Sequence, residues 1–259
     1  MYKALTIAGS DSSGGAGIQA DIKTMAAHGV YAMSVITALT AQNTTGVYGI
    51  MPVEADFVAR QLDCVFQDIV PDAIKIGMVA DAGVIEVIAD RLVTYEAKNI
   101  VLDPVMVATS GSRLSTDSAV NALVERLFPI AAVITPNIPE AEYLCGVKIR
   151  TAVDMEKAAI MLAEKTGGAV IVKGGHLTES ADDLLYCDGS MSWLRSPRVE
   201  NPNNHGTGCT LSSAIACGLA KGMDIQAAFT EAKKYITGAL GAGLNLGKGS
   251  GPLNHSFNV

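Results

Sequence analysis

The sequence contains few aromatic residues and little charge. Aromatic residues make up 5% of the 259 residues and charged residues 17%, whereas hydrophobic residues make up 49%. This composition is typical of a folded globular protein with a core of Val, Ile, Leu, Ala and Met, and it argues against disorder. The formal charge of -7 argues against a nucleic-acid partner, because phosphate backbones are bound by clustered Lys and Arg.

Cysteine pairs and long apolar runs are missing as well. The five cysteines are an odd number without a C-x-x-C pair, and the four histidines do not fall at metal-ligand spacings. A disulfide scaffold or a structural zinc site is therefore not expected. No apolar run approaches the ~20 residues of a membrane helix, and the first residues lead directly into a predicted strand without a signal peptide. We therefore expect a cytoplasmic protein with no membrane partner.

Short β-branched runs alternate with helical patterns along most of the chain. Most runs are continuously apolar, as in parallel strands covered on both faces, and the predicted strands are Lys3–Ala8, Ser34–Leu39, Ala73–Ile76, Asn99–Leu102, Ala132–Thr135 and Ala169–Val172. A hairpin is predicted over Asp183–Arg195 around Asp188-Gly189, and helices over Cys209–Lys221 and Ile225–Ala242. This order predicts a three-layer α/β/α fold with a mainly parallel central sheet. Since no linker or repeat is visible, we expect a single domain, residues 1–259.

Polar and small residues cluster where the predicted strands end. In an open parallel sheet, ligands bind beyond the carboxyl ends of the strands. These ends carry Gly9-Ser10-Asp11, Thr40-Ala41-Gln42-Asn43, Gly77-Met78, Asp103-Pro104, Thr135-Pro136-Asn137 and Lys173-Gly174-Gly175-His176. The sequence therefore predicts a ligand site along this one edge of the sheet.

The glycine-rich segment after the first strand formally matches a dinucleotide-binding fingerprint, with Gly15, Gly17 and Ala20 at the required spacing. That fingerprint needs an acidic residue at the end of the second strand to hold a ribose, and this strand ends in Thr40-Ala41-Gln42. An NAD-dependent oxidoreductase is therefore disfavoured, and the glycines indicate a backbone that approaches another ligand closely. The G-x-x-x-x-G-K-[ST] motif of P-loop kinases is absent.

A second glycine-containing segment, Asn204–Ser212, is the better candidate for an anion cradle. Gly206, Thr207 and Gly208 lead into a predicted helix that starts at Gly208 or Cys209, and its free amides and positive dipole end suit a transferring phosphoryl group. The Gly-Thr-Gly tripeptide alone is as typical of an ordinary helix cap. At this terminus Cys209 is expected to have a lowered pKa and to accept a proton from an attacking hydroxyl. The alternative is a small buried hydrophobic residue.

Other strand ends carry side chains suited to a metal ion, a phosphate group and a polar ring. Asn137 and Glu140 lie three residues apart at a predicted helix start, and Asp103 can add a carboxylate to a hydrated Mg²⁺; a capping box formed by Asn137 and Glu140 is a compatible alternative. Lys173 ends a buried strand before two glycines, which favours a phosphate contact over a strand-end lysine that reaches solvent. Gln42 offers a donor and an acceptor side by side, which matches an aminopyrimidine edge, and a solvent-facing loop glutamine is its alternative.

Taken in order, these segments resemble the hydroxymethylpyrimidine/phosphomethylpyrimidine kinases of thiamine biosynthesis. The resemblance covers nearly the whole chain and depends on Gly9–Asp21, Thr40–Thr44, Lys75-x-Gly77-Met78, Asp103–Met106, Thr135-Pro136-Asn137-x-x-Glu140-Ala141, Lys173–His176 and His205–Thr210. It implies a ribokinase-like fold, an assembly that is usually a homodimer, and the use of ATP and Mg²⁺. It also implies phosphorylation of 4-amino-5-hydroxymethyl-2-methylpyrimidine and then of its monophosphate to the diphosphate.

The resemblance further implies a role for each candidate residue. Cys209 is then the base on the hydroxymethyl oxygen, and Gly206, Thr207 and Gly208 form the anion hole, with Thr207 also contacting ATP. The remaining implied roles are pyrimidine binding by Gln42, Gly9, Asp21, Met78 and Val105, Mg²⁺ binding by Asp103 and Glu140, and ATP binding by Lys173 and Asn137.

Two positions depart from the family pattern, and two alternative functions remain. Thr109 stands where relatives often carry Lys, which leaves the contacts of a lid to phosphate open, and Lys248 replaces a frequent His in the C-terminal glycine loop. A pyridoxine/pyridoxal kinase shares the His-Gly-x-Gly-Cys motif, but the segment Thr40–Asn43 favours the pyrimidine. A nucleotide-binding sensor without turnover is disfavoured because Cys209 accompanies a predicted magnesium site.

Overall fold

The computed structural model describes residues 1–106, 116–175, 182–196, 199 and 201–258. Within these ranges nine strands form one sheet. They are β1 (Lys3–Asp11), β2 (Tyr31–Asn43), β3 (Gly46–Pro52), β4 (Ala73–Ile76), β5 (Ile100–Leu102), β6 (Val133–Ile134), β7 (Ala169–Val172), β8 (Asp183–Cys187) and β9 (Ser190–Leu194). The order is β3-β2-β1-β4-β5-β6-β7-β8-β9. The six strands from β2 to β7 in this order are parallel, whereas β3, β8 and β9 run antiparallel to their neighbours.

Helices cover both faces of the sheet. In the described residues they are α1 (Gly17–Ala27), α2 (Ala55–Asp68), α3 (Ala82–Thr94), α4 (Asp117–Ala122), α5 (Ile138–Cys145), α6 (Ala152–Ala163), α7 (Thr207–Ala220) and α8 (Ile225–Gly241). A π-helical turn, Leu123–Leu127, and a 3₁₀ turn, Phe128–Ile130, continue α4. None of the described helices is long and apolar enough to span a membrane.

The core lies in two layers, one on each face of the sheet. Helices α2 to α6 pack with strand residues such as Leu102 on one face, and α7 and α8 pack with residues such as Val101 on the other. Met25 of α1 joins Cys217 of α7 beside β1. Val101 and Leu102 are neighbours in β5 and face opposite layers because side chains alternate along a strand. The predicted three-layer α/β/α fold with a mainly parallel sheet is confirmed.

The sequence missed β3 and the length of β2. β2 continues to Asn43, and beyond Thr40 it pairs, among the described strands, with the antiparallel β3, where Gln42 lies opposite Val47. Five of the seven residues of β3 are exposed and none is fully buried, so the strand lacks the buried apolar run by which a strand is recognised in a sequence. Gln42 therefore lies in a hairpin that extends past the end of β1 rather than in a loop.

Candidate active site

Helix α7 begins where the parallel strands end. Its N-cap, Gly206, has a φ of 85°, and a Cβ at this position would overlap the carbonyl oxygen of Gly15. Thr207, Gly208 and Cys209 in the first turn are half-buried, whereas the rest of the helix is buried. Because the first amides of a helix have no intrahelical acceptor, this turn presents hydrogen-bond donors and a positive dipole end at an accessible surface. The helix starts one or two residues before the predicted position.

Replacing Gly206 by Ala is expected to destabilise the protein more than the same change at Gly222. The two glycines have similar left-handed φ angles, 85° and 81°, so each substitution carries a backbone strain of about 1–2 kcal/mol. Nothing lies within 4 Å of a Cβ at Gly222, whereas Gly206→Ala must also displace the Gly15 backbone, for a total loss of about 2–5 kcal/mol. Urea denaturation of both variants measures the difference. Equal losses of stability would contradict a close contact between Gly206 and the Gly15 backbone.

An ion pair between Lys173 and Asp103 lies beside this first turn. Lys173 Nζ is 2.7 Å from Asp103 Oδ1, which also accepts a hydrogen bond from Thr135 Oγ1 at 3.0 Å. A Cβ at Gly208 would lie 3.3 Å from Asp103 Oδ2 and 3.4 Å from Lys173 Nζ. The helix terminus, an ammonium group and a carboxylate thus meet in one small volume, where only glycine leaves room for another group. Burial lowers the pKa of Lys173, but attraction to Asp103 and Glu140 outweighs burial, so the net pKa is raised and the ammonium remains charged.

Asn137 and Glu140 form the capping box that the sequence offered as an alternative. Asn137 Oδ1 accepts from the Glu140 amide at 2.9 Å, and Glu140 Oε2 accepts from the Asn137 amide at 2.8 Å. Asn137 also pairs with Lys173 as an isolated parallel bridge between backbones. Burial raises the pKa of Glu140 to about 7; Lys173 opposes this shift and Asp103 adds to it. A cation that arrived nearby would counteract this rise and favour the carboxylate form of Glu140.

Cys209 does not have the lowered pKa that its position predicts. Burial raises the pKa of the thiol, Lys75 and a backbone hydrogen bond from Gly17 counteract the rise, and Asp21 and Asp103 add to it. The predicted lowering is wrong because desolvation of the sulfur outweighs the positive end of the helix. In this state of the site most molecules carry the neutral thiol at neutral pH.

A fully buried ion pair lies beneath Cys209. Asp21 and Lys75 both have 0% exposed side chains, with Lys75 Nζ at 3.0 and 2.9 Å from the two carboxylate oxygens. Thr6 Oγ1 donates to Asp21 at 2.5 Å and Ser213 Oγ at 2.7 Å. Ser213 is four residues after Cys209 and shares its face of α7. Asp21 therefore supports the site from below and, having no accessible surface here, does not line it as the resemblance implied.

Lys75 is a residue of this site to which the sequence analysis gave no role. Its signal was present, because a lysine in the apolar strand Ala73–Ile76 is covered on both faces and needs a charged partner. That partner, Asp21, is 54 residues away in α1, and no local pattern connects the two. Coulomb attraction to the Asp21 carboxylate overcomes burial and raises the pKa of Lys75, so it is fully charged.

Gln42 is held at both its backbone and its side chain. Its amide donates to Ser12 Oγ at 2.9 Å and its carbonyl accepts from the same hydroxyl at 2.8 Å. Its side-chain amide lies 3.1 Å from Thr40 Oγ1 and 3.2 Å from His205 Nε2. His205 directly precedes the cap of α7, so Gln42 and the first turn of that helix belong to one continuous surface.

Asp11 and His205 are two further site residues that the sequence analysis left without a role. His205 Nε2 is 2.9 Å from Asp11 Oδ2, and both side chains are buried. Burial opposes the charged form of Asp11, but hydrogen bonds from His205, Ser13 and Ala16 prevail and hold its pKa at about 2. Asp11 stood in the predicted strand-end cluster, but only the fold brings it to a histidine that is 194 residues away.

The remaining predicted residues lie along the same edge. A Cβ at Gly9 would overlap the Met78 side chain, so these two are in direct contact, and the Val105 amide donates to the carbonyl of Asp103 at 2.8 Å. The Lys248 amide donates to Thr44 Oγ1 at 3.1 Å, so the C-terminal loop touches the β2–β3 hairpin through its backbone. Thr109 lies outside the described residues.

The donor set fits a hydrated Mg²⁺ rather than a protein cage. In the part of the chain that the structure describes, no group of three or more His, Cys, Asp or Glu side chains is placed to hold a metal ion. Asp103 and Glu140 face the same Lys173 ammonium and interact electrostatically. Two carboxylates are what Mg²⁺ needs when water and phosphate oxygens fill the rest of its coordination sphere.

Comparison with known proteins places this site in a family. The phosphomethylpyrimidine kinase family model matches residues 11–254. A hydroxymethylpyrimidine/phosphomethylpyrimidine kinase of Haemophilus influenzae is 47% identical over 98% of this chain and 97% of its own length. A thiamine biosynthesis bifunctional protein of Geobacter sulfurreducens is 50% identical over 97% of this chain, which spans 51% of that protein.

Solved structures agree with the family match. A phosphomethylpyrimidine kinase from Clostridium difficile has a TM-score of 0.83 at 44% identity, covering 92% of this chain and 98% of its own. An ADP complex of Bacillus subtilis pyridoxal kinase has a TM-score of 0.92 at 39% identity, covering 99% and 98%. The chain therefore belongs to the phosphomethylpyrimidine kinase family and is a phosphotransferase with a ribokinase-like fold.

Proposed function

We propose that this protein uses ATP to phosphorylate 4-amino-5-hydroxymethyl-2-methylpyrimidine and then the resulting monophosphate, two steps of thiamine biosynthesis. The observation that carries the proposal is the convergence of three features on Gly208: the open first turn of α7, the Lys173 ammonium and the Asp103 carboxylate. The relatives named for the same two substrates match this chain from end to end. Gln42, which adjoins the same turn through His205, supplies the amide for the aminopyrimidine edge.

In the proposed first step the hydroxymethyl oxygen attacks the γ-phosphorus, and the bond to the leaving ADP breaks as the new P–O bond forms. The amides of Gly208 and Cys209 donate to the oxygens of the transferring group, and Lys173 neutralises the charge that they share. Cys209 accepts the hydroxyl proton only in the minority of molecules that carry its thiolate, because burial raises the pKa of the thiol. Since the transition state of phosphoryl transfer is loose, most of the rate comes from positioning and charge neutralisation rather than from this base.

A bound Mg²⁺ would neutralise charge on the ATP phosphates. Asp103 and Glu140 would hold the ion, and Asn137 and Thr207 would contact ATP. A homodimer in the cytoplasm is our expectation for the assembled enzyme, and the sedimentation coefficient in solution tests the dimer.

The second step differs from the first in what it requires of Cys209. The monophosphate attacks through an oxygen that is already ionised at neutral pH, so it needs no base. If both steps use this one site, Cys209→Ala should lower the rate with the pyrimidine alcohol about tenfold, less than the ~10²–10⁴-fold of a typical general base because phosphoryl transfer depends mainly on positioning, and leave the rate with the monophosphate nearly unchanged. Cys64→Ala, which changes an exposed cysteine of α2, serves as the control.

Release of ADP and phosphorus NMR of the products, with the alcohol, its monophosphate and pyridoxal side by side, test the proposal. We expect turnover of both pyrimidines and a lower kcat/KM with pyridoxal. Pyridoxal as the best substrate would make the protein a pyridoxal kinase. Absence of ADP release with all three would remove the proposed function altogether.

A further inference from the structure

Two neighbours, His205 and Thr40, constrain the orientation of the Gln42 side-chain amide. Its nitrogen is 3.2 Å from His205 Nε2 and its oxygen is 3.1 Å from Thr40 Oγ1. The nitrogen and oxygen of an amide have nearly the same size and shape, and only their partners distinguish them. The roles of His205 and Thr40 therefore decide which amide atom faces which neighbour.

His205 can only donate at this nitrogen. The Asp11 carboxylate accepts hydrogen bonds from three backbone amides of its own loop and from the Ser13 hydroxyl, at 2.7 to 3.1 Å. Surrounded by donors, it is ionised and accepts from His205 Nε2 as well, at 2.9 Å. His205 Nε2 therefore carries a hydrogen whether the ring is neutral or charged, and it faces the Gln42 nitrogen as a second donor.

The Thr40 hydroxyl has one hydrogen and two acceptors within reach, the Ser10 carbonyl at 2.9 Å and the Gln42 oxygen at 3.1 Å. When the nearer carbonyl takes that hydrogen, the Thr40 oxygen offers only lone pairs to Gln42. His205 thus requires the opposite order of the two amide atoms, and Thr40 is compatible with it. A half-turn about the last side-chain bond of Gln42 gives this order, with the nitrogen donating to Thr40 and the oxygen sharing the single Nε2 hydrogen of His205 with Asp11 in a three-centre bond.

We infer that His205, held in place by Asp11, is a positioning residue that locks the Gln42 amide in this one orientation and so makes it selective for an amino group beside a bare ring nitrogen. The inference depends on the proposed function. An amide that can make the half-turn matches both this edge and the reverse edge, a carbonyl beside an N–H group. The hydroxymethyl group must face the first turn of α7, which fixes how the ring lies, so the locked amide matches only one edge.

Gly15 keeps the imidazole in register for this role. A Cβ at Gly15 would overlap His205 Cδ2, so the ring packs directly on the glycine backbone and cannot swing toward it. The backbone amide of His205 donates to the Gly251 carbonyl at 3.1 Å. The histidine is therefore fixed from its main chain, its ring face and its Nε2 atom.

The test compares kcat/KM for the 4-amino alcohol with kcat/KM for its 4-oxo counterpart in three proteins: the wild type, His205→Leu and His205→Gln. Leu cannot donate, so Gln42 becomes free to turn. In the wild type the fixed amide leaves a buried donor unpaired when the 4-oxo ring binds, whereas in His205→Leu the amide can turn to pair with that ring. We therefore expect the amino-to-oxo ratio to fall about tenfold or more. The Gln amide places an N–H close to the position of Nε2, can donate to both Asp11 and Gln42, and should keep the ratio near that of the wild type. A ratio measured on one preparation is unaffected by any fraction that is unfolded.

Three outcomes are distinguishable. A ratio that falls in His205→Leu and recovers in His205→Gln supports the lock. An unchanged ratio in His205→Leu, with the wild type active, overturns the lock and leaves the proposed function intact. A wild type that phosphorylates neither pyrimidine overturns the proposed function, and with it the substrate on which this inference depends.

Discussion

Replacing Lys173 by Met is expected to lower kcat with the pyrimidine alcohol about 10²–10³-fold, the loss found when one preorganised donor to a developing charge is removed. Lys173 Nζ adjoins the position that a Cβ of Gly208 would occupy, so its ammonium is already in place at the first turn of α7. Methionine fills a similar volume without the charge. Steady-state release of ADP at saturating ATP and alcohol measures the change.

Lys233→Met is a matched control for that substitution. Lys233 Nζ is 2.6 Å from Asp183 Oδ2, and the side-chain exposures of this pair, 15% and 4%, nearly equal the 14% and 2% of Lys173 and Asp103. Each variant removes a largely buried lysine from a buried aspartate, so both should lose similar stability, but Lys233 is on α8. If both variants lose turnover equally, the loss comes from stability and Lys173 has no special part in phosphoryl transfer.

The edge of the sheet that carries the site was predictable because buried parallel strands are recognisable in a sequence as short apolar runs. Ala169–Val172 is a continuous apolar run and Ala73–Ile76 is apolar except for Lys75, and both strands occur in the structure with the predicted bounds. Once such strands are located, their carboxyl ends must share one edge. Asp103 and Lys173, which close two of them, are therefore brought to 2.7 Å although they are 70 residues apart.

The properties of the site that could not be predicted from the sequence, such as the pKa of Cys209, depend on how deeply each group is buried in the fold. The helix terminus at Cys209 suggested a lowered thiol pKa, and the opposite shift follows from how deeply the sulfur is packed over Asp21 and Lys75. The extent of that packing is a property of the assembled layers. Likewise, the role of His205 depends on its contact with Asp11, and neither residue has a local pattern that points to the other.

The hairpin that carries Gln42 was missed for a related reason. β3 is an edge strand, mostly exposed, and it adds few apolar side chains to the core. Edge strands are held by backbone hydrogen bonds to one neighbour, and these leave little trace in the sequence. Gln42 was nevertheless chosen correctly as a residue of the predicted edge, because β2 passes through that edge before it enters the hairpin.

Replacing Lys75 by Met is expected to lower the free energy of unfolding by about 3–5 kcal/mol, because Asp21 then remains charged, fully buried and without its cation. The contact with Lys75 also helps to orient the Asp21 carboxylate toward the Ser213 hydroxyl. Its loss should therefore weaken the packing of the α7 face that carries Cys209. The double variant Lys75→Met with Asp21→Leu should recover much of the loss, since an apolar pair of similar volume avoids the desolvation of both charges. Urea denaturation at neutral pH measures all three proteins.

Lys3→Met provides the comparison that separates burial from charge. Lys3 Nζ is 3.4 Å from Asp72 Oδ1 with side-chain exposures of 34% and 36%, against 0% for both partners of the buried pair. Water screens such an exposed pair, so its loss should cost less than about 1 kcal/mol. A Lys75→Met protein as stable as Lys3→Met would contradict the expected cost of leaving Asp21 buried without its cation. The charge beneath Cys209 would then not be what holds that part of the site together.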